Sequence, residues 1–141
     1  MVWNASASLP IGLYRVQAGP VRRGDVVLVR LSPDIAQLAR QRHYLVGAVY
    51  VIKVVAAIGG DDVCRLADLV LVRGVLAARA LRRDSLGRSM PSWTGCRRLA
   101  AGEFLVLAPD THSFDSRYFG VVSATQVVGR AVPFWLTYAR R

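Results

Sequence analysis

At 141 residues, 53% hydrophobic and 20% charged, the chain is long enough for one domain with a real core and too apolar for disorder. Its net charge of +10 draws it toward anionic surfaces, whether nucleic acid, phospholipid headgroups or acidic protein, without choosing among them. No run reaches the roughly 18 apolar residues of a membrane span, and Trp3-Asn4-Ala5-Ser6 lacks the basic-then-apolar order of a signal peptide. Two cysteines, Cys64 and Cys96, are too few for a disulfide scaffold, although an even count permits one bridge.

In chain order, a polar opening of small residues passes Ser6, Ser8 and Pro10 and runs into a short strand near Tyr14, with Pro10 and Gly12 bending the backbone around Ser8. A turn over 21–25 precedes a valine- and leucine-rich strand over 26–31. Ser32 then caps a helix that has Pro33 at its first position and extends to about Arg42, burying Ile35, Leu38 and Ala39. The next strand, 50–58, is closed by Gly59-Gly60-Asp61-Asp62. Strands are expected over 63–72 and 75–80, joined at Arg73-Gly74, with 75–83 open to a helical turn instead. A turn at 84–87, an irregular loop over 88–102, a strand over 103–108, a polar loop over 109–118 and one or two strands within 121–132 complete a β-rich chain. No repeat, low-complexity segment or linker interrupts it.

The strand over 50–58 carries Lys53, the single lysine among eighteen arginines. Alternation sets Lys53 on the face of Val51 and Val55. Burial there would lower the amine's pKa and make it a base, a role closed to arginine. The same residue on an edge strand, with its ammonium in water, would only discourage sheet-to-sheet aggregation. A serine nucleophile would need such a base, oxyanion donors and a fixed backbone. Ser8 has the bent backbone, and Ser6 would share its face in an extended chain. On their own both read first as turn residues near a frayed terminus.

Three ordered motifs add to this. An Asn4-x-Ser6-x-Ser8-x-Pro10-x-Gly12-x-Tyr14 opening precedes the lysine strand. Gly87-Arg88-x-x-Pro91-x-Trp93-x-Gly95-Cys96-Arg97 follows it, and Ser113-Phe114-Asp115-Ser116-Arg117-Tyr118-Phe119-Gly120 comes last. Together they resemble the type I signal peptidase family, and within it the TraF-like branch of conjugative-transfer maturation proteases, over nearly the whole chain.

The resemblance implies a single catalytic domain over 1–141, mainly β, with coiled or barrel-like antiparallel sheets and one short helix. It implies a Ser/Lys serine endopeptidase without cofactor or metal, with Ser8 as nucleophile and Lys53 as general base. The Ser8 N–H and the Ser6 hydroxyl would form the oxyanion hole, and Ser113 would orient the amine. Asp115 and Arg117 would brace the site as an ion pair. In this branch the aspartate is also a candidate third catalytic residue, but as a direct partner it would raise the pKa of Lys53, against the needs of a base.

The implied substrate is an exported pilin-like precursor, cut at the periplasmic face of the bacterial inner membrane by a monomer associated with that surface. Some relatives pass the acyl group to the substrate's own N-terminus and cyclise it. A periplasmic site also implies a Cys64–Cys96 disulfide. The family carries a membrane segment before its serine, whereas Met1 stands seven residues before Ser8, which places any anchor upstream of residue 1. Two further departures are Val54 after the lysine, where relatives often have arginine, and Ala108-Pro109-Asp110-Thr111 in place of a Gly-Asp-Asn-Arg run.

Other readings compete. Arginines at 79, 82, 83, 97 and 98 with Trp93 could form a basic aromatic patch for nucleic acid, and the chain could be an inactive scaffold of a secretion apparatus. Ser89-Met90-Pro91 follows the lysine strand and is rejected as a nucleophile. His112 and Asp115 lie too close in one loop for a triad, and the cysteines and histidines lack paired metal-ligand spacing.

Overall fold

The computed structural model describes residues 2–4, 11–45 and 49–137. Its strands are β1 (Val2–Asn4), β2 (Ile11–Gln17), β3 (Val26–Arg30), β4 (Tyr50–Ala57), β5 (Asp62–Leu66), β6 (Leu69–Val72), β7 (Val75–Arg79), β8 (Gly95–Arg98), β9 (Glu103–Leu107), β10 (Val122–Ser123) and β11 (Val127–Thr137). Two helices accompany them, α1 (Pro33–Gln41) and α2 (Ser116–Phe119). The strands form a seven-stranded sheet in the order β1-β2-β11-β3-β4-β9-β10 and a four-stranded sheet in the order β7-β6-β5-β8. Every pairing is antiparallel.

The mainly β architecture expected from the sequence is the one observed, with three local corrections. The expected strand over 63–72 is a hairpin, because Ala67 and Asp68 turn the chain back and Ala67 adopts a positive φ of 54°. The segment from Val75 is a strand and not a helical turn, paired through Leu69↔Arg79 and Val72↔Val75. The expected irregular loop over 88–102 contains β8, held to β5 by Cys64↔Cys96 and Val63↔Arg97. Alternation over four residues rich in arginine and cysteine is a weak strand signal, and only the partner strand makes it one.

β3 and β4 are buried on both faces, which is why their sequences run almost continuously apolar. Val27, Val29, Val51 and Val55 join Leu31, Ala36, Val106 and Val122 in one cluster, while Leu28 and Ile52 meet Tyr14 and Ala131 on the opposite side. A third cluster, Ala57, Val63, Val70, Leu99 and Leu105, packs the small sheet against the large one. α1 closes the first cluster with Ala36, and Ala39 meets Phe114 and Tyr118 in a fourth. Pro33 and the extended Ser32 start α1 as expected, although the Ser32 side chain makes no capping bond. Ile35 and Leu38 are only partly buried, because small Ala36 and Ala39 let the helix approach along that line instead.

After β4 the chain turns at Ile58–Asp61 and leaves for the small sheet. Gly59 has a steric reason: a Cβ there would lie 2.9 Å from the Ala100 carbonyl oxygen and 2.9 Å from Ala101 Cα. Asp61 closes the turn by accepting from Ile58 N at 2.9 Å and from Arg23 Nε at 2.9 Å.

Candidate active site

Lys53 lies in the interior of the large sheet, between β3 and β9, and not at an edge. Val27 is its cross-strand partner, and one further step of the Val54↔Leu107 register brings it opposite Ala108. The residue is 2% exposed, on the face that also presents Val51 and Val55. Burial there pushes its amine below the ordinary lysine value, opposed by the field of Asp115 and reinforced by that of Arg117. The solvated edge-strand alternative therefore fails on topology and on burial together.

The loop that faces this strand is built around two side chains. Asp115 is 0% exposed, and both its oxygens are occupied. Oδ1 accepts from Arg117 N at 3.0 Å and Arg117 Nε at 3.1 Å, and Oδ2 accepts from Ala108 N at 2.9 Å. Burial raises the Asp115 carboxyl against the pull of Arg117 and of those two backbone donors. The Arg117 guanidinium also donates to the carbonyls of Ala108 at 2.5 Å, Asp110 at 3.1 Å and Arg79 at 3.2 Å. The pair thus ties the end of β9, the following loop and β7 into one unit. It also presents Lys53 with two opposed fields, which leaves burial as the governing influence on the amine.

Ser113 is buried at 3% exposure, and its N–H donates to Asp110 at 3.1 Å. The segment that follows is helical, where the sequence led us to expect only a loop. Asp115 caps α2, and Ser116 Oγ accepts from Val106 N at 2.9 Å, pinning the motif to β9. A four-residue helix carries too little periodicity to be read from sequence. Ser6 and Ser8 lie outside the described residues. The strands on either side of them, β1 and β2, pair through Asn4↔Gly12.

Several supporting residues escaped the sequence reading. Trp93 Nε1 donates to the Ser116 carbonyl at 2.8 Å, and the Arg65 guanidinium donates to the Arg117 carbonyl. Leu81 N donates to the Tyr118 hydroxyl at 3.0 Å. β5 and the connection between β7 and β8 therefore hold the segment 116–118. The alternation of β5 does carry a signal for Arg65, since it shares the inward face of fully buried Val63. Cys64 faces the other way and is joined to Cys96 by a disulfide.

The residues read as a basic aromatic patch do not form one stacked surface, although Arg82 and Arg83 are exposed. Trp93 is turned inward to Ser116, and Arg79, Arg97 and Arg98 are paired with Asp68, Glu103 and Asp62. His112 is solvent-exposed and sits against Asp110, not Asp115, so no triad forms there. Among the described residues no group of three or more His, Cys, Asp or Glu side chains could hold a metal ion.

The chain matches the signal peptidase family, peptidase S26, over residues 1–135. It is 32% identical over 138 residues to a plasmid transfer protein TraF of Escherichia coli, covering 89% of this chain and 77% of the relative. A conjugal transfer protein TraF of Agrobacterium fabrum is 32% identical over 142 residues, covering 92% and 79%. A crystal structure of a signal peptidase I from Enterococcus faecalis superimposes with a TM-score of 0.47 at 20% identity, covering 81% of this chain and 98% of that one.

Proposed function

This chain belongs to the signal peptidase family, peptidase S26, and we propose that it is a Ser/Lys endopeptidase that removes leader segments from exported pilin-like precursors during conjugative transfer. One observation carries the reading: the only lysine of the chain is buried on a central strand, its amine pushed down by burial and faced by a fully buried Asp115–Arg117 brace. The names of the TraF relatives, given to plasmid and conjugal transfer proteins, support the biological setting.

In this reading the neutral Lys53 amine takes the Ser8 proton as Oγ attacks the scissile carbonyl. The Ser8 N–H and the Ser6 hydroxyl stabilise the oxyanion, and Ser113 orients the amine. The Lys53 ammonium then protonates the departing amine, leaving an acyl ester on Ser8. A water, or the substrate's own N-terminal amine, gives a proton to Lys53 as it attacks the ester carbonyl, and Lys53 returns that proton to Ser8 Oγ as the acyl–oxygen bond breaks. Asp115 and Arg117 hold the loop and take no proton. Cleavage follows a small residue with another small residue two positions before it. The enzyme works as a monomer at the periplasmic face of the inner membrane, where the Cys64–Cys96 bridge is stable.

The test is Lys53→Arg, which keeps the net charge at +10 and a long cationic side chain but cannot lose its proton near neutrality. Precursor cleavage should be abolished in Lys53→Arg and in Ser8→Ala, with circular dichroism unchanged. Full cleavage by folded Lys53→Arg would end the reading. Mass spectrometry of the wild-type product assigns the acyl acceptor, since a cyclic product is one water lighter than the hydrolysed chain.

A further inference from the structure

Among the described residues three cationic side chains are buried, Lys53, Arg65 and Arg117, and of these only Arg117 is ion-paired, with Asp115. The arginines at 23, 73, 79, 88, 97, 98 and 117 each sit against a carboxylate. Arg65 is 4% exposed and, like Lys53, has no carboxylate in ion-pair range among the described residues, but unlike Lys53 it cannot shed its charge near neutrality. Its guanidinium donates to two carbonyl oxygens, those of Ala67 and Arg117, which orient it but carry no full charge. The field of Asp68 reaches it, yet that carboxylate stands against Arg79 at 4.0 Å. A charged side chain removed from water without a counter-ion is costly and calls for a partner.

The place for that partner is a cleft of about 220 Å³ lined by Arg65 and Arg82, with Leu81, Met90, Pro91 and Ser92 completing the wall. Arg82 is exposed and, among the described residues, also lacks a carboxylate partner. Arg82 offers a planar fork of N–H donors, the geometry that suits a carboxylate, and Arg65, whose Nε and Nη1 are held by carbonyls, adds its positive charge and Nη2. The apolar wall of Leu81, Met90 and Pro91 suits an aliphatic stem behind it, and the volume suits one side chain better than an extended ligand. Met90 to Ser92 belong to the Gly87–Arg97 motif, whose Trp93 serves the 113–117 loop but whose preceding residues have no part in the proposed chemistry.

We propose that this cleft binds a carboxylate carried by a peptide, with Arg65 as the buried anchor and Arg82 as the exposed arm. Its position behind the motif that holds Arg117 makes it an exosite, a peptide contact separate from the bond that is cut. The choice of a peptide as the source rests on the proteolytic reading above, whereas the carboxylate preference rests on the cleft alone.

The experiment is a titration of the backbone amide NMR signals of Leu81, Arg82 and Ser92 in the intact, oxidised protein, which needs no turnover and so holds or fails independently of the Ser/Lys mechanism. Four probes separate the sources: N-acetylglutamate amide, which carries a side-chain carboxylate only, N-acetylglutamine, which carries a terminal one only, N-acetylglutamine amide, which carries neither, and inorganic phosphate. Saturable shifts are expected with one or both carboxylates and not with the neutral amide, phosphate binding more weakly. Arg82→Gln, a surface change that leaves the core intact, should weaken binding about tenfold, the value of one charge-assisted contact. The proposal is overturned if neither carboxylate gives saturable shifts, if the neutral amide binds as well, if phosphate binds as tightly, or if Arg82→Gln binds like wild type.

Discussion

Arg117→Met tests whether the Asp115–Arg117 pair is the clamp of the site, since methionine keeps the length and apolar stem of the side chain and removes its charge. The side chains are 3% and 0% exposed. Breaking a buried pair by deleting one partner costs about 3–5 kcal/mol, most of it the stranded charge. With an unfolding entropy of about 2.1 cal/mol/K per residue, 141 residues give about 0.3 kcal/mol per degree, so Tm should fall by about 10–17 °C. Adding Asp115→Asn removes the stranded carboxylate and should recover part of the loss.

The pH dependence of that loss has a definite sign. Without Arg117 the Asp115 carboxyl rises further above its unfolded value, so the folded state binds the extra proton. The deficit of Arg117→Met should therefore be smallest below about pH 3.9, the ordinary aspartate value, and grow as pH rises through the raised folded value. Urea and thermal denaturation followed by circular dichroism from pH 3 to 7, with the disulfide intact, measure all of this. A loss below about 1 kcal/mol, the range of exposed pairs, or a double variant no more stable than the single one, would refute the clamp.

Lys53→Met should raise stability at neutral pH while abolishing cleavage: burial lowers the folded amine pKa, so the wild type carries its full penalty below that value and sheds it as pH rises toward about 10.4. The stability gain should accordingly vanish in alkaline denaturation, and a gain independent of pH would point to packing alone. Wild-type cleavage should rise with pH through the lowered amine pKa, and a flat profile would count against a neutral-lysine base. Replacing both cysteines with serine opens a loop with a sequence separation of 32, worth about 3.7 kcal/mol by chain entropy, and should lower Tm by about 12 °C in a thermal melt. Gly59→Ala should cost about 1–3 kcal/mol in urea unfolding, because its Cβ meets the backbone of the 100–101 turn and no flexible side chain can yield.

The sequence made the β-rich class, α1 and the lysine strand legible because each carries its own local code: apolar alternation, a Ser-Pro start, a β-branched run. Whether Lys53 was buried was not legible, since edge and interior strands differ only in their neighbours, and β9 joins β4 from far along the chain, beyond the whole small sheet. The same limit hid Arg65 and Ser116, whose importance lies in bonds between the small sheet, β9 and α2. Asp115 and Arg117 were identified through a motif, but the division of their bonds among Ala108, Asp110 and Arg79 belongs to the folded chain alone. β8 was missed because four residues of Gly-Cys-Arg-Arg become a strand only beside β5.

The last strand has a consequence for how the molecule comes into being. β11 does not cap an edge but lies between β2 and β3, so β1 and β2 reach the rest of the large sheet only across it. Val16 waits for Ala131 and Tyr14 for Pro133, contacts that span most of the chain and are slow to form. β3, β4 and the small sheet can pair while synthesis is under way, but β1 and β2 have no place in the large sheet until β11 is made. The first two strands and the lysine strand thus begin on separate halves of an unfinished structure. A chain cut short before Val127 would retain Lys53 and the Asp115–Arg117 brace but leave β1 and β2 with no strand linking them to β3.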